Sequence, residues 1–216
     1  RLAMEDLGPD HPSQEAVLHA QKATRYATDL MRQLQAHTRH TAPKLQRLSL
    51  ADLLESARSL FDPKRAAGCK VEVTCLTDDT WVQADPTQLQ QVLVNLLANA
   101  SDAMNGVGTI RLELSSVELP AASLTGTASS LPAGRYVCLT VRDEGTGIAP
   151  EHIDQLFDPF FTTKPVGRGT GLGLSLAYGI VQKHHGRIDV RSEPGRGSCF
   201  RVTLPVRRPG GEGGAE

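Results

Sequence analysis

At 216 residues the chain is long enough for one sizeable core, or for one domain with a small appendage. Lysine and arginine number 23 against 24 aspartates and glutamates, for a formal net charge of −1, so no broad basic face for nucleic acid is expected. The apolar runs fall well short of a bilayer span and the N-terminus does not read as a signal peptide, which predicts no direct membrane contact and a cytoplasmic setting.

The chain opens mid-pattern at Arg1 and closes on Pro-Gly-Gly-Glu-Gly-Gly, as an excised fragment would. Residues 13–40 read as one long helix, because Ala16, Ala20, Ala23, Ala27, Leu30 and Leu34 recur at spacings of 4, 3, 4, 3 and 4. Gly8-Pro9-Asp10-His11-Pro12 is turn chemistry, and Arg1–Leu7 fits the last turns of a preceding helix. The two make a truncated helical hairpin of the kind that pairs into a bundle. Pro43 interrupts, and a shorter amphipathic helix follows over Leu50–Phe61. Val71, Val73 and Cys75 alternate as in a strand, and Trp81–Ala84 is a second short strand.

Gln88–Met104 is an amphipathic helix with a start signal in Asp85-Pro86-Thr87-Gln88: an Asp N-cap, Pro at the first helical position, and Gln where a capping box places it. At about 100° per residue, Leu89, Val92, Leu93, Leu96, Leu97, Ala100 and Ala103 form one apolar arc. Gln88, Gln91, Asn95, Asn99 and Asp102 form a polar stripe beside it. A stripe kept only for solvent would more often use Glu, Lys or Arg, and Asn is a mediocre helix former. Two amides one turn apart, Asn95 and Asn99, are therefore candidates to reach a ligand or a metal, with a solvated stripe as the alternative.

Ile110, Leu112 and Leu114 alternate next, residues 120–134 read as a variable loop, and Tyr136–Arg142 is a strand. That strand puts Val137, Leu139, Val141 and Asp143 on one face, so a carboxylate ends an apolar row. Burying it without a partner costs free energy, which leaves a partnered carboxylate or a solvated strand-end turn. Two glycines in Asp143-Glu144-Gly145-Thr146-Gly147 allow backbone to approach a flat ligand closely. A buried acceptor facing an exocyclic amine favours adenine over guanine, which presents an acceptor there.

Leu156-Phe157-Asp158-Pro159-Phe160-Phe161-Thr162-Thr163-Lys164 clusters three phenylalanines, which are either core or the anchors of a lid. Gly167-Arg168-Gly169-Thr170-Gly171-Leu172-Gly173-Leu174-Ser175 runs into a helix over Gly171–Lys183. Exposed backbone N–H groups and a helix N-terminus suit phosphate, although a plain flexible loop reads the same way. The segment has neither P-loop nor dinucleotide-fingerprint spacing. Arg187–Arg191 and Cys199–Leu204 are the last strands, with Gly195-Arg196-Gly197 as a tight turn between them. The mixture of elements lacks a regular βαβ alternation and predicts a layered sandwich with a mixed sheet. The cysteines (Cys69, Cys75, Cys138, Cys199) are scattered and expected to be reduced, and the histidines lack zinc-like spacing.

Two Asn on a helix, Asp-x-Gly-x-Gly, a Phe-rich segment and Gly-Thr-Gly-Leu-Gly-Leu, in that order, resemble the N, G1, F and G2 boxes of sensor histidine kinases. The likeness spans about Leu50 to Pro205, and its Phe-Phe-Thr-Thr-Lys and Gly-Leu-Ser-Leu-Ala-Tyr-Gly-Ile-Val-Gln sequences are similar to the nitrogen-regulator and hybrid branches. It implies an α+β fold, the two-layer Bergerat ATP-binding sandwich shared with gyrase B, Hsp90 and MutL. The implied division is a partial dimerisation hairpin over 1–42, a catalytic ATP-binding domain over 43–208 and a flexible tail over 209–216.

The same likeness implies ATP and Mg²⁺ as ligands. Asn99 would coordinate Mg²⁺, Asp143 would take the adenine amino group, and Gly145 and Gly147 would line the base pocket. Gly169, Gly171 and Gly173 would hold the triphosphate. Asp102, Ile148, Phe160, Thr162, Thr163, Lys164, Thr170, Leu172 and Leu174 complete the implied ATP site, and Asn95, Asn99 and Lys164 take the catalytic positions. The implied partners are a response-regulator receiver domain, separate or fused after the Gly/Glu-rich tail, and a second copy paired through the hairpin.

One departure matters. The phosphoacceptor motif, a His followed by an acidic residue and soon by Pro, is not present: His11 sits in the turn, and His19, His37 and His40 lack the motif's neighbours. By the family's geometry the acceptor lies upstream of Arg1, so this chain is expected to bind ATP without phosphorylating itself. Two other classes remain. A hydrolytic clamp of the gyrase–Hsp90–MutL kind would need a Glu base where Asn95 stands. A non-catalytic dimerisation scaffold with a degenerate site is the second.

Overall fold

The structure, a computed structural model, describes residues 17, 42–60, 68–120, 131–165 and 169–206. The hairpin expected over 1–42, the centre of the variable loop, Arg168 and the tail from 209 lie outside the described residues, Val17 and Ala42 excepted. The chain divides into two units, one built on residues 42–159 and 173–206 and the other containing Phe160–Leu172.

The larger unit runs β1 (Gln46–Ser49), α1 (Leu50–Leu60), β2 (Gly68–Cys75), β3 (Trp81–Ala84), α2 (Pro86–Ala103), β4 (Val107–Leu119), β5 (Gly134–Arg142), α3 (Pro150–Ile153), α4 (Gly173–Lys183), β6 (Arg187–Glu193) and β7 (Gly197–Pro205). Five strands form a mixed sheet in the order β2-β4-β5-β7-β6. β2 and β4 are parallel and the remaining neighbours antiparallel. β1 and β3 make a separate antiparallel pair. This is the expected α+β sandwich.

The core lies between the sheet and α1, α2 and α4. Leu89, Val92, Leu93, Leu96, Leu97 and Ala100 of α2 are buried, as the 3.6-residue period requires. They meet Leu54 of α1, Ala177 and Val181 of α4, and the inward rows of β4, β5 and β7. Register sets those rows: Leu112 is opposite Val141 and Val141 opposite Phe200, while Leu114, Leu139 and Val202 form the next. β5 lies at the centre of the sheet, and its opposite-facing Tyr136, Cys138 and Thr140 are buried too. The four cysteines form no disulfide.

Several details differ from the sequence reading, the short unexpected helix α3 among them. β1, with no alternation to announce it, exists through its pairing with β3, Leu48 against Val82. α4 begins at Gly173, two residues later than expected. The capping box is only half made. Asp85 Oδ1 accepts the N–H groups of Thr87 and Gln88 at 3.0 and 3.2 Å, but Gln88 Oε1 is buried without a partner among the described residues. The reciprocal arm comes from far along the chain, where His184 Nε2 accepts the Asp85 N–H at 2.9 Å. A histidine 99 residues away carries no local signal of that role.

Candidate functional site

The polar stripe of α2 makes contacts within the fold at Gln91 and Asn95. Asn95 Nδ2 donates to the Gly173 carbonyl at 2.9 Å, and Asn95 Oδ1 accepts from Gln91 Nε2 at 3.0 Å. Both ends of this amide are engaged, so Asn95 ties α2 to the first residue of α4. The far end of the same contact surface is tied by His184, which is 3 % exposed. Its Nε2 accepts from Asp85, which fixes the proton on Nδ1, and that N–H donates to the Ile180 carbonyl at 2.8 Å. Burial holds the imidazole below its ordinary pKa. Asn99 is half-buried and Asp102 exposed, one and nearly two turns beyond Asn95 on the same helix.

The C-terminal end of α2 meets the loop after β5. Thr146 N–H donates to the Ala103 carbonyl at 3.1 Å. A Cβ at Gly145 would lie 2.6 Å from that carbonyl oxygen, so only glycine lets the loop come this close. Gly147, at φ +69°, occupies the left-handed region, and a side chain there would collide with the Glu193 carbonyl. Asn99, Asp102, Asp143, Gly145, Gly147 and Ile148 are thus carried by two adjoining elements.

Asp143 is 3 % exposed at the end of its apolar row, and it is partnered, as its burial demands. Oδ1 accepts the N–H of Gly145 at 2.9 Å and of Ser198 at 3.2 Å. Oδ2 takes no hydrogen bond among the described residues. Burial pushes the carboxyl above its usual range, and the two backbone donors pull part of the way back. The result is a rigid carboxylate with one oxygen saturated and one lone-pair edge uncommitted, which suits a ligand that brings an amine.

The turn between β6 and β7 does more than reverse the chain. Ser192 Oγ accepts the Ile148 N–H at 2.8 Å and lies 2.9 Å from the Gly197 carbonyl, to which it donates. The Gly195 N–H donates to the Thr146 carbonyl at 2.7 Å, and the Asp143 N–H to the Ser198 carbonyl at 3.0 Å. This hairpin clamps the whole Asp143–Ile148 loop. The Gly195-Arg196-Gly197 spacing signals only a tight turn, because the clamp's partners lie 44 to 55 residues apart.

The smaller unit holds Phe160, Thr162, Thr163, Lys164, Gly169, Thr170, Gly171 and Leu172. Its ends meet: the Phe160 N–H donates to the Gly171 carbonyl at 2.9 Å. Thr162 Oγ1 accepts the Lys164 N–H at 3.2 Å, and Thr170 Oγ1 the Leu172 N–H at 3.3 Å. Phe160 is exposed, whereas Phe157, in the larger unit, stacks obliquely on Tyr178 with ring centroids 5.2 Å apart and packs on the core. The Phe cluster therefore splits between core and surface. Gly173 and Leu174 open α4. Among the described residues no group of three or more His, Cys, Asp or Glu could hold a metal, and no helix is long and apolar enough to cross a membrane.

Residues 84–208 match the family described as histidine kinase-, DNA gyrase B-, and HSP90-like ATPase. The chain is 40 % identical over 197 residues to the sensor kinase CckA of Brucella abortus, covering 90 % of this chain and 20 % of that protein. It is 37 % identical over 164 residues to the sensor histidine kinase ZraS of Salmonella typhimurium, covering 75 % of this chain and 31 % of that one. The chain thus spans a fifth to a third of the length of these relatives. Among solved structures, the catalytic domain of the histidine kinase ThkA superposes with a TM-score of 0.59 at 29 % identity, covering 75 % of this chain and 95 % of that one. Full-length ShkA in complex with AMPPNP shares the fold, with a TM-score of 0.68 at 22 % identity over 93 % of this chain and 40 % of that one. The chain belongs to the histidine kinase-, DNA gyrase B- and HSP90-like ATPase family, as the ATP-binding domain that sensor histidine kinases carry.

Proposed function

We propose that the chain is the catalytic module of a two-component sensor histidine kinase, which moves the γ-phosphoryl of ATP to a His on a dimerisation helix for relay to a response-regulator Asp. The observation that carries the nucleotide reading is Asp143. Its fixed Oδ1 and uncommitted Oδ2 form an acceptor for the exocyclic amine of adenine, beside a loop whose glycines admit a flat base. Ile148, held by Ser192, borders the same loop.

The phosphate side is assigned to Phe160, Thr162, Thr163, Lys164, Gly169, Thr170, Gly171, Leu172, Gly173 and Leu174. Lysine charge and glycine-exposed N–H groups suit a triphosphate. The Asn99 amide is a hard oxygen donor of the type Mg²⁺ accepts together with phosphate oxygens, and Asp102 follows one turn on. Bound Mg²⁺ would neutralise phosphate charge. What the chain itself supplies is position: Asn95 and His184 hold α2 against α4, and the β6–β7 hairpin holds Asp143. Phosphoryl transfer depends chiefly on such positioning and on charge neutralisation.

Asn95 also favours a kinase over a hydrolytic clamp. An amide bonded at both ends cannot take a proton from water. Pairing of two copies through the hairpin, a receiver domain as phosphoryl acceptor and a cytoplasmic setting belong to the same proposal. The test is to supply an acceptor helix bearing His in trans with γ-labelled ATP and Mg²⁺. Acid-labile, alkali-stable label on the helix is expected. Label-free helix despite ATP binding by the chain would leave the scaffold reading standing.

A further inference from the structure

Nine arginines lie among the described residues, and six have a side-chain partner. Arg47 lies over the Trp81 ring. Arg58, Arg111, Arg135, Arg187 and Arg196 are each ion-paired to a carboxylate. The other three, Arg142, Arg191 and Arg201, have none among the described residues, and all three line one cavity of about 410 Å³.

Register puts them there. Arg142 is opposite Cys199 and Cys199 opposite Arg191, so two arginines straddle β7 on one face of the sheet. Arg201 lies two residues along β7 on that face. It is the face turned away from the helices, because the alternate residues Val141, Phe200 and Val190 pack with the core. Neighbouring strands are about 4.8 Å apart, so the Cα atoms of Arg142 and Arg191 are about 10 Å apart. Long side chains converge readily over that span. Like charges gathered on adjoining strands destabilise a sheet unless something offsets them.

The acidic residues close to them are engaged elsewhere: Asp189, opposite Arg201 on β6, is ion-paired with Arg187. Glu193 is paired with Arg196, and Asp143 is turned to the N–H groups of Gly145 and Ser198. The lining contains no aliphatic or aromatic side chain, so it offers nothing to a nucleobase or to an apolar protein anchor. Guanidinium groups recognise phosphate through paired donors.

We propose that this cavity, on the sheet face turned away from the helices, is an anion site for a group of two or more linked phosphates; it adjoins the proposed nucleotide site at Asp143. Three fixed positive charges on rigid strands match a compact polyanion. The cavity is large enough for one, since small-ligand sites run from about 300 Å³ upward.

The test is calorimetric titration of pyrophosphate into the chain at low salt, in the presence of a saturating non-hydrolysable ATP analogue and Mg²⁺. One saturable equivalent is expected, weakened about tenfold by each of Arg142→Gln, Arg191→Ala and Arg201→Ala and unchanged by Arg58→Ala. Melting curves of the variants report whether the fold is intact, as expected for exposed positions. GDP titrated in the same way identifies the source: affinity equal to pyrophosphate assigns carried as well as free polyphosphate, and weaker binding assigns the free anion. Absence of saturable binding, displacement by the analogue, or equal affinity in the arginine variants would overturn the site. Tighter, equally arginine-dependent capture of a polyglutamate peptide would overturn it in favour of an acidic protein. If the analogue itself does not bind, the function proposed above fails, while the arginine dependence of the pyrophosphate isotherm is read unchanged.

Discussion

Replacing Asp143 by Asn separates recognition from folding. The substitution preserves size and shape, and an Asn Oδ1 can still accept from the N–H groups of Gly145 and Ser198. The other edge changes from acceptor to donor, so an adenine amine would face an N–H₂. A hydrogen bond to a charged group contributes about 1.5–3 kcal/mol, so affinity for ADP should fall roughly 10- to 150-fold. A ligand presenting an acceptor at that position, such as IDP, should lose less and can bind more tightly to the variant than ADP does.

Stability should move the other way. Burial raises the Asp143 pKa, so the native state holds its proton to higher pH than the unfolded chain does. The stabilisation linked to that proton is full below the ordinary carboxylate range and is lost as pH rises through the raised value. Near neutrality the ionised carboxylate is a net cost that Asn removes. The variant should therefore melt at or above the parent's temperature at pH 7, with the difference vanishing in acid. Calorimetric titrations with ADP and IDP, paired with thermal melts at pH 3 and 7, measure both effects. An intact variant that binds ADP like the parent would refute the argument, and so would one that loses fold and binding together.

Ser192→Ala should deprive the Ile148 N–H of its acceptor, speeding exchange of that amide and weakening ADP binding about tenfold; Ser192→Thr should restore both. Asn99→Ala should abolish the increment that Mg²⁺ adds to ATP-analogue affinity while leaving Mg²⁺-free ADP binding within about twofold, as read by paired titrations. His184 is held below its ordinary pKa by burial, so the unfolded chain takes up a proton first and the stabilisation, full above the unfolded pKa of about 6.5, is lost as pH falls through the lowered value. Urea melts from pH 7.5 to 5.5 should show that fall in the parent and a flatter profile in His184→Gln, which keeps an acceptor for the Asp85 N–H.

Elements with strong periodicity were legible from the residues alone. The buried arc of α2, the inward row of β5 and the need for a partner at Asp143 follow from 3.6- and 2-residue periods and from the cost of burying charge. What escaped is non-local. The short β1 is stabilised by β3 and has no pattern of its own. Gln88 occupies the capping-box position, but distant His184 performs the task. Ser192 and Ser198 look like ordinary strand-end residues, and only the crossing of β7 between β5 and β6 brings them to Asp143 and Ile148. The unpaired arginines are equally silent in the sequence, since ion pairing depends on register between strands.

The most direct test of the central claim is calorimetric titration of the chain with ADP and a non-hydrolysable ATP analogue, each with and without Mg²⁺, against GTP. Saturable binding of both adenine nucleotides, strengthened by Mg²⁺ for the analogue and absent for GTP, is the predicted result. Equal binding of GTP, or no binding of any nucleotide, would contradict the assignment of Asp143 and Asn99 to an ATP site.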